Sequence, residues 1–227
     1  WIERANQIAD KMVDEFYDEE SAGFFMTGRS AEVLVARLKN AADEAIPSAN
    51  AIATLSLLKL GQFTGNKQYI ATAEKSVQAF RQNIEENPVA YSGLLAAADF
   101  MESLVTEAVF VGSREHPAFE DMQGALHQDY RPNKIVLWNE NEESSILLPL
   151  AEGKSSVDGN PAVYLCERET CHPPIQTGKA LANLLLPPPQ IRLNIFDYDK
   201  QIKDAGKEEQ DKFLGVMDQI FKHSGLK

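Results

Sequence analysis

Apolar residues recur at three- and four-residue intervals through the first hundred positions of the chain. Two of these stripes are Ile2, Ala5, Ile8, Met12 and Phe16, and Ile70, Ala73, Val77, Phe80 and Ile84. Each covers one side of a helix, and the second helix is predicted to run on to Pro88, which cannot extend it. The apolar run between them predicts a helix that ends near Gly61 or Gly65. Pro47 is predicted in its first turn, with Ser48 as its cap.

The pattern changes near Ser103. Three short apolar runs follow, EAVFVGS, NKIVLWN and PAVYLCE, and HPAFEDMQGALHQDY between the first two has helical spacing. A strand, a helix and a strand within about 30 residues predict a βαβ unit with two parallel strands. Short helices are predicted for TGKALANLL and ESSILLPLAEG, and a short helix or turn for SAEVLVARLK. A tight loop or short β-hairpin is predicted for AGFFMTG.

These elements predict a mainly α protein in three parts. Residues 1–103 form helical hairpins packed side by side, and residues 104–186 form a small α/β element in this prediction. Residues 187–227 contain LPPPQIRLNIFDYDKQ, in which the prolines favour an extended linker, followed by an amphipathic C-terminal helix.

Charge narrows the range of partners. The chain of 227 residues has a formal net charge of −12, and an acidic surface repels nucleic acid backbones and anionic membrane surfaces. No apolar run approaches the roughly 18 residues that span a bilayer. Two cysteines do not make a disulfide scaffold, so a cytoplasmic protein is expected. The chain opens with Trp1 inside a helical pattern, which we interpret as a fragment of a longer or processed protein.

The segment NAADEAIPSANA carries acids and hydrogen-bonding side chains at a predicted helix start. Asp43 and Glu44 precede the helix, and Ser48 and Asn50 lie in its first turn. Such residues stabilise a helix start through capping and the helix dipole. The alternative is a polar cluster at the mouth of a cavity, with carboxylates acting as acid and as base or nucleophile on a glycoside. Because adjacent side chains point apart, a distant acid such as Asp18 would then complete the pair.

The turn FVGS lies between a predicted strand and a predicted helix. A glycine turn there can present backbone N–H groups to a phosphate. The dinucleotide fingerprint G-x-G-x-x-G is absent, however. Ser113 is therefore more simply predicted to be the N-cap of the following helix.

Both cysteines of the chain lie in VYLCERETCHPP. Their C-x-x-x-x-C spacing and the Pro-Pro that follows argue against a thioredoxin-type C-x-x-C at a helix start. Zinc needs about four ligands, and Cys166, Cys171 and His172 supply three at most. The spacing of the other histidines, His116, His127 and His223, does not help. Reduced structural thiols, a reversible disulfide and a metal or nucleophile role stay open, and no metal site or cofactor is predicted.

Three segments occur in a familiar order: DEAIPSANAIATLSLLKLGQFTGNKQYIATAEKSVQAF, FVGSREHPAFEDM and VYLCERETCHPPI. They resemble the C-terminal part of the thioredoxin-domain-containing family typified by bacterial YyaL and animal spermatogenesis-associated protein 20. The resemblance covers residues 1–185, and its most specific motifs are D-E-A-x-P-S-x-N and Y-x-C-x-x-x-x-C-x-P-P. Members of this family carry an N-terminal thioredoxin-like domain followed by an (α/α)6 toroid like that of six-hairpin glycosidases and sugar epimerases.

The resemblance implies that this chain is part of an (α/α) toroid of helical hairpins with a small α/β element. The AGFFMTG loop and the DEAIPSAN segment would lie at the open end of the toroid. The residues then implied are Asp43 and Glu44 for catalysis, Ser48, Asn50, Phe24 and Phe25 for substrate binding, and Cys166 and Cys171 for redox chemistry.

Two functions stay open. In the first, the chain is a binding or structural module of a thioredoxin-linked protein of unestablished activity, and its cysteines are structural or exchange with the thioredoxin-like domain. In the second, a toroid cavity binds and transforms a sugar or another small molecule, with Asp43 or Glu44 as acid or base. Neither function calls for a cofactor, nucleic acid or a membrane.

Overall fold

The computed structural model describes residues 1–32, 36–140, 148–167 and 170–185. Its helices are α1 (Ile2–Phe16), α2 (Ala49–Thr64), α3 (Lys67–Ala79), α4 (Arg81–Glu86), α5 (Ser92–Glu102), α6 (Pro117–His127) and α7 (Gly178–Leu184). Its strands are β1 (Thr106–Val111), β2 (Lys134–Asn139), β3 (Ala162–Glu167) and β4 (Thr170–Cys171). The predicted linker and C-terminal helix lie outside the described residues, as do positions 33–35 of SAEVLVARLK and 143–147 of ESSILLPLAEG. Pro149–Ala151 forms a 3₁₀ turn.

The helices confirm a mainly α protein, and α1 to α5 share one core. α2 packs against α3 and α5, and the residues that fill this contact with fully buried side chains include Leu57, Ala73, Val77 and Leu94. Ser48 caps α2 by accepting a 3.2 Å hydrogen bond from the backbone of Ala51. The helix ends at Gly65, whose φ of +69° suits glycine. Pro47 precedes the cap, so its predicted place in the first turn is wrong.

The long helix predicted to reach Pro88 is wrong, because it breaks at Phe80 into α3 and α4. At the break the Phe80 ring lies against Gly23, where an added Cβ would stand 2.8 Å from the ring. Packing against the 17–25 loop therefore takes precedence over helix continuity. Pro88 instead begins a 3₁₀ turn, Pro88–Tyr91.

The predicted βαβ unit is confirmed: β1 and β2 are parallel and α6 connects them. The four strands described are ordered β2-β1-β3-β4, and β3 runs antiparallel to both of its neighbours. The short strand β4 was not predicted, because two residues carry no periodicity. It turns VYLCERETCHPP into a hairpin that pairs Cys166 with Cys171.

The sheet lies between two helical layers. One face, including Ala108, Phe110, Val163 and Leu165, packs with residues of α6 and α7, among them Phe119, Met122, Leu126 and Leu181. The other face, including Val109, Val111 and Leu137, packs with Leu148 and Ala151 and with Ile2 and Phe63 of α1 and α2. The α/β element is thus joined to the helices through a shared apolar interior.

The cap of α6 differs from the prediction. His116, not Ser113, is the N-cap, and its Nδ1 accepts a 3.2 Å hydrogen bond from the backbone of Ala118. Pro117 takes the first helical position, which fixes the helix start four residues after Ser113. The Ser113 hydroxyl instead accepts a 3.2 Å hydrogen bond from the backbone of Glu115.

Candidate functional site

The Asp43 carboxylate joins the N-terminal ends of two helices. Its Oδ1 accepts a 2.8 Å hydrogen bond from the backbone of Ser48, the cap of α2. Its Oδ2 accepts hydrogen bonds from the backbone of Gly93 at 2.6 Å and from the hydroxyl of Ser92 at 2.9 Å, at the start of α5. Both oxygens therefore have donors from the protein itself.

These contacts keep Asp43 ionised. Burial alone would raise the pKa of Asp43, but the hydrogen bonds donated by Ser48, Gly93 and Ser92 outweigh burial and leave the pKa below its ordinary value. The charge also lies at the positive ends of two helix dipoles. Chemically, this arrangement suits capping. A carboxylate held ionised cannot serve as a proton donor near neutral pH.

The neighbours of Asp43 differ in their surroundings. Glu44 is exposed to solvent. Ser48 is buried, and its hydroxyl donates a 2.9 Å hydrogen bond to the carbonyl of Ala41 while capping α2. Ser48 is therefore committed to the backbone, whereas Glu44 is free to meet a ligand.

Asn50 holds two loops together from inside the protein. Its side chain is 1% exposed. Its Oδ1 accepts a 2.6 Å hydrogen bond from the Phe24 N–H, and its Nδ2 donates 2.9 Å hydrogen bonds to the carbonyls of Phe24 and Asn40. The predicted substrate-binding residues Asn50 and Phe24 are thus brought into direct contact, through backbone atoms of the loop.

The two phenylalanines of the 17–25 loop have different environments. Phe24 is buried, with its ring centroid 5.3 Å from that of Tyr17. Phe25 is half-buried, with the Arg37 guanidinium 4.1 Å and the Lys39 ammonium 5.3 Å from its ring centroid. Cations over an aromatic face attract electrostatically, so Phe25 anchors the segment that follows the loop.

Asp18 is held by Lys39. The Lys39 ammonium donates a 2.7 Å hydrogen bond to Asp18 Oδ2, and the Ser21 hydroxyl donates a 2.6 Å hydrogen bond to the same oxygen. The contact with Lys39 is the main reason that the pKa of Asp18 lies well below its usual range. Within the described residues, no hydrogen bond joins Asp18 to Asp43 or Glu44.

Cys166 and Cys171 form a disulfide across the β3–β4 hairpin. They are paired residues on adjacent antiparallel strands, with their Cα atoms 4.0 Å apart. The two ends differ in access, because Cys166 is 1% exposed and Cys171 is exposed. Among the alternatives that the sequence left open, the structure thus has the bonded form.

Glu107 is on β1, the strand next to β3, and lies directly opposite Cys166. The two residues are direct partners between β1 and β3, so their side chains lie on the same face of the sheet. Glu107 is buried, and its Oε1 accepts a 2.5 Å hydrogen bond from Gln62 Nε2 on α2. Glu107 is not among the site residues predicted from the sequence. The available signal was an acid inside the otherwise apolar strand EAVFV.

Within the described ranges, no group of three or more His, Cys, Asp and Glu side chains is placed to hold a metal ion. None of the helices described combines the length and the apolar character needed to cross a membrane.

No protein-family model matches the chain. The chain is similar to spermatogenesis-associated protein 20. The human protein is 29% identical over 193 residues, a match that covers 82% of this chain and 24% of the human protein. The mouse protein is 28% identical over 191 residues, with the same two shares covered. An uncharacterized protein of Caenorhabditis elegans is 23% identical over 162 residues, which cover 71% of this chain and 22% of that protein.

These similarities support the family that the motifs suggested, through its animal member spermatogenesis-associated protein 20. The chain spans about a quarter of the length of the relatives it matches, 24% for the human protein. The name of these relatives states no reaction.

Proposed function

We propose that this chain is a disulfide-bearing module of a protein related to spermatogenesis-associated protein 20, and that its β3–β4 hairpin exchanges thiols with a thioredoxin-like domain. The observation that carries the proposal is the unequal access to the disulfide. Cys166 is buried, whereas Cys171 is exposed on the short strand at the edge of the described sheet.

Thiol–disulfide exchange needs one sulfur that an external thiolate can reach. Exposure makes Cys171 the sulfur that a partner would attack, and burial makes Cys166 the leaving group. The difference in exposure therefore determines which sulfur is attacked, which two equally exposed cysteines would not do. Within the described residues β4 has no strand on its outer side, so an extended segment of a partner could align there.

A purely structural disulfide accounts less well for this hairpin. Cys166 and Cys171 are five positions apart, and closing so short a loop stabilises a protein by only about 2 kcal/mol. If the protein is cytoplasmic, as we propose from its composition, disulfides in that compartment are usually catalytic or redox-sensing.

The proposal extends to architecture. We propose that residues 1–103 are helical hairpins of an (α/α) toroid, completed by parts of a longer protein that also carries the thioredoxin-like domain. Support comes from the packing of α2 against α3 and α5 and from the relatives, since the match with this chain covers 24% of the human protein.

The sugar-transforming alternative rests on Asp43 and Glu44. Asp43 accepts three hydrogen bonds from backbone and hydroxyl donors and is held ionised. Glu44 is exposed and has no second acid hydrogen-bonded to it in the part of the chain that the structure describes. The hairpin disulfide is therefore the better supported site.

The proposal is tested by trapping. A reduced thioredoxin whose resolving cysteine is replaced by serine is mixed with the oxidised full chain, and the mixed disulfide is mapped by peptide mass spectrometry. We expect a covalent adduct at Cys171. If the intact disulfide is recovered with no adduct while the protein stays folded, the Cys166–Cys171 disulfide has only a structural role.

Two single-cysteine variants serve as matched controls, each mixed with thioredoxin oxidised as a mixed disulfide with a small thiol. Cys166→Ser leaves the exposed thiol and is expected to form the adduct. Cys171→Ser leaves the buried thiol and is expected to react at least about tenfold more slowly, because access governs exchange. Equal reactivity of the two variants would remove the asymmetry on which the proposal depends.

A further inference from the structure

We infer that Glu107 is the group that exchanges a proton with Cys166 during disulfide exchange, an inference that rests on the proposed function. Three residues lie in one row across the sheet, because Cys166 is the direct partner of Glu107 on β1 and of Cys171 on β4. Directly opposite residues have Cβ atoms about 4.5–5.5 Å apart. Glu107 and Cys171 therefore flank Cys166 on the same face of the sheet, one on each neighbouring strand.

The surroundings of Glu107 are unusual for a structural acid. It is 8% exposed on a strand whose six residues are all buried. Buried carboxylates are normally paired with a cation, since removing a charge from water is costly. Among the described residues, no Lys or Arg side chain pairs with Glu107, and Gln62 is its hydrogen-bonding partner. A buried acid without a counter-ion beside a cysteine is therefore better explained by proton transfer than by stability.

Thiol–disulfide exchange at Cys171 requires a proton donor for the Cys166 thiolate. When a partner thiolate attacks Cys171 Sγ, a new partner–Cys171 disulfide forms and the Cys166–Cys171 bond breaks. Cys166 leaves with the electron pair as a thiolate in a buried position, where an unpaired charge is disfavoured. Glu107 delivers a proton to Cys166 Sγ and is left as a carboxylate. The hydrogen bond from Gln62 stabilises that carboxylate.

The second step of the exchange releases Cys171 from the mixed disulfide. The second thiolate of the partner dithiol attacks the partner's own sulfur in the mixed disulfide and releases the Cys171 thiolate, which takes a proton from water. The partner is oxidised to its disulfide, and this chain gains two electrons and two protons as a dithiol. In the opposite direction, the Glu107 carboxylate takes the proton of Cys166, and the resulting thiolate attacks Cys171 Sγ to expel the partner's thiolate.

Gln62 connects this buried row to solvent. It lies at an open cavity of 260 Å³ between α2, α3 and α5. Glu74 and Glu102 also line that cavity. Glu107 itself is 8% exposed, so water can reach its carboxyl beside Gln62 and replace the proton that it gives or takes.

The step is measured with the full chain in its reduced form and one equivalent of 5,5′-dithiobis(2-nitrobenzoate). The first 2-nitro-5-thiobenzoate is released as Cys171 is captured. The second is released as Cys166 attacks Cys171, and its rate constant reports proton removal from Cys166. We expect Glu107→Gln to slow the second release by about tenfold or more and to leave the first within about twofold.

Variants separate proton transfer from charge and packing. Glutamine keeps the size of glutamate but cannot take a proton, whereas aspartate can take one but is shorter. Proton transfer therefore predicts that Glu107→Asp is faster than Glu107→Gln, whereas packing predicts the reverse order. Glu107→Asn, compared with Glu107→Asp, repeats the test at equal size should the glutamine variant not fold. Glu167→Gln is the control for loss of a charge. Glu167 follows Cys166 on β3, but its side chain lies on the opposite face of the sheet, so this variant is expected to behave like the wild type.

The outcomes distinguish the two proposals. If Glu107 acted only through its negative charge, removing the charge would stabilise the Cys166 thiolate, and Glu107→Gln would be faster than the wild type. A wild-type rate or a faster rate in Glu107→Gln overturns the role of Glu107 and leaves the exchange site intact. A wild-type protein that never releases the second equivalent overturns the exchange site itself, and with it the role of Glu107.

Discussion

The backbone of Gly93 donates a 2.6 Å hydrogen bond to the carboxylate of Asp43, fifty positions earlier in the chain. The approach is close, since a Cβ added to Gly93 would stand 2.7 Å from the Cβ of Ala51 and 3.1 Å from Asp43 Oδ1. One carboxylate therefore holds α2 and α5 together where their N-terminal ends meet, and glycine is required for the fit.

Replacing Asp43 with asparagine should destabilise the protein. The amide keeps one acceptor and turns the other into a donor, which then faces either the N–H of Ser48 or the N–H of Gly93. An unmade hydrogen bond to a charged group costs about 1–3 kcal/mol of unfolding free energy. Urea denaturation measures this loss.

Glu44→Gln is the matched control for Asp43→Asn, because Glu44 is adjacent, acidic and exposed. It should change the free energy of unfolding by less than about 0.5 kcal/mol. Equal effects of the two substitutions would contradict the capping role of Asp43. A loss of sugar binding in Glu44→Gln would revive the sugar-transforming alternative.

Acid should weaken the contact between Asp18 and Lys39. The pKa of Asp18 is lowered in the folded protein, chiefly by Lys39, so its contribution to stability is complete above the unfolded pKa of about 4. The contribution is lost as pH falls from there toward the lower folded pKa, because the unfolded chain binds the proton first. Asp18→Asn should cost about 1–3 kcal/mol at pH 7 and progressively less at lower pH.

Urea denaturation across the acidic range tests this dependence. Glu19→Gln is its control, since the Glu19 side chain is 70% exposed and its ion pair with Arg29 is long, at 3.9 Å. Exposed pairs of this kind contribute little. A gap between wild type and Asp18→Asn that stayed constant down to about pH 2 would show that Asp18 is not stabilised by its charge.

Much of the fold could be predicted because it is local. Helical stripes and the strand–helix–strand order are read from neighbouring positions, and α1, α2 and the parallel pair β1–β2 follow them. The errors at Phe80 and Ile8 come from contacts between distant segments. Phe80 breaks a helix to pack on Gly23, and Ile8, on the predicted apolar stripe, is 59% exposed while Ala9 is buried. Such choices depend on what each face meets in three dimensions.

The candidate site was predictable to the same extent. The motif around Cys166 and Cys171 marks the hairpin, but the spacing alone does not decide between free thiols and a disulfide. Glu107 could be noticed as an acid within an apolar strand. Its position beside Cys166 depends on the register between β1 and β3, which are separated by the whole of α6 and β2. A single sequence does not set that register.

Asn50 should be more sensitive to substitution than a helix cap. Asn50→Ala leaves the N–H and carbonyl of Phe24 and the carbonyl of Asn40 without their partner in the interior. The expected loss is about 2–4 kcal/mol. Asn66→Ala is the control, because Asn66 caps α3 and such a change costs about 1 kcal/mol.

Thermal unfolding of both variants gives the comparison. If Asn50 served a ligand and not the loops, Asn50→Ala would unfold at the temperature of Asn66→Ala or above it. The loop would then keep the contact between the Phe24 and Tyr17 rings, 5.3 Å between centroids, without Asn50.

Two glycines at the contact between α6 and α7 should respond to alanine with opposite signs. A Cβ on Gly178 would stand 2.5 Å from the backbone oxygen of Asp121, whose side chain also accepts a 2.6 Å hydrogen bond from the Gly178 N–H. Gly178→Ala must push the helices apart and should cost about 1–3 kcal/mol. Gly124 lies within α6 and has nothing within 4 Å of an added Cβ, so Gly124→Ala should stabilise by about 0.5–1 kcal/mol. Urea denaturation of both variants tests this, because stabilisation by both substitutions would mean that helix propensity, and not the close contact at Gly178, governs this part of the molecule.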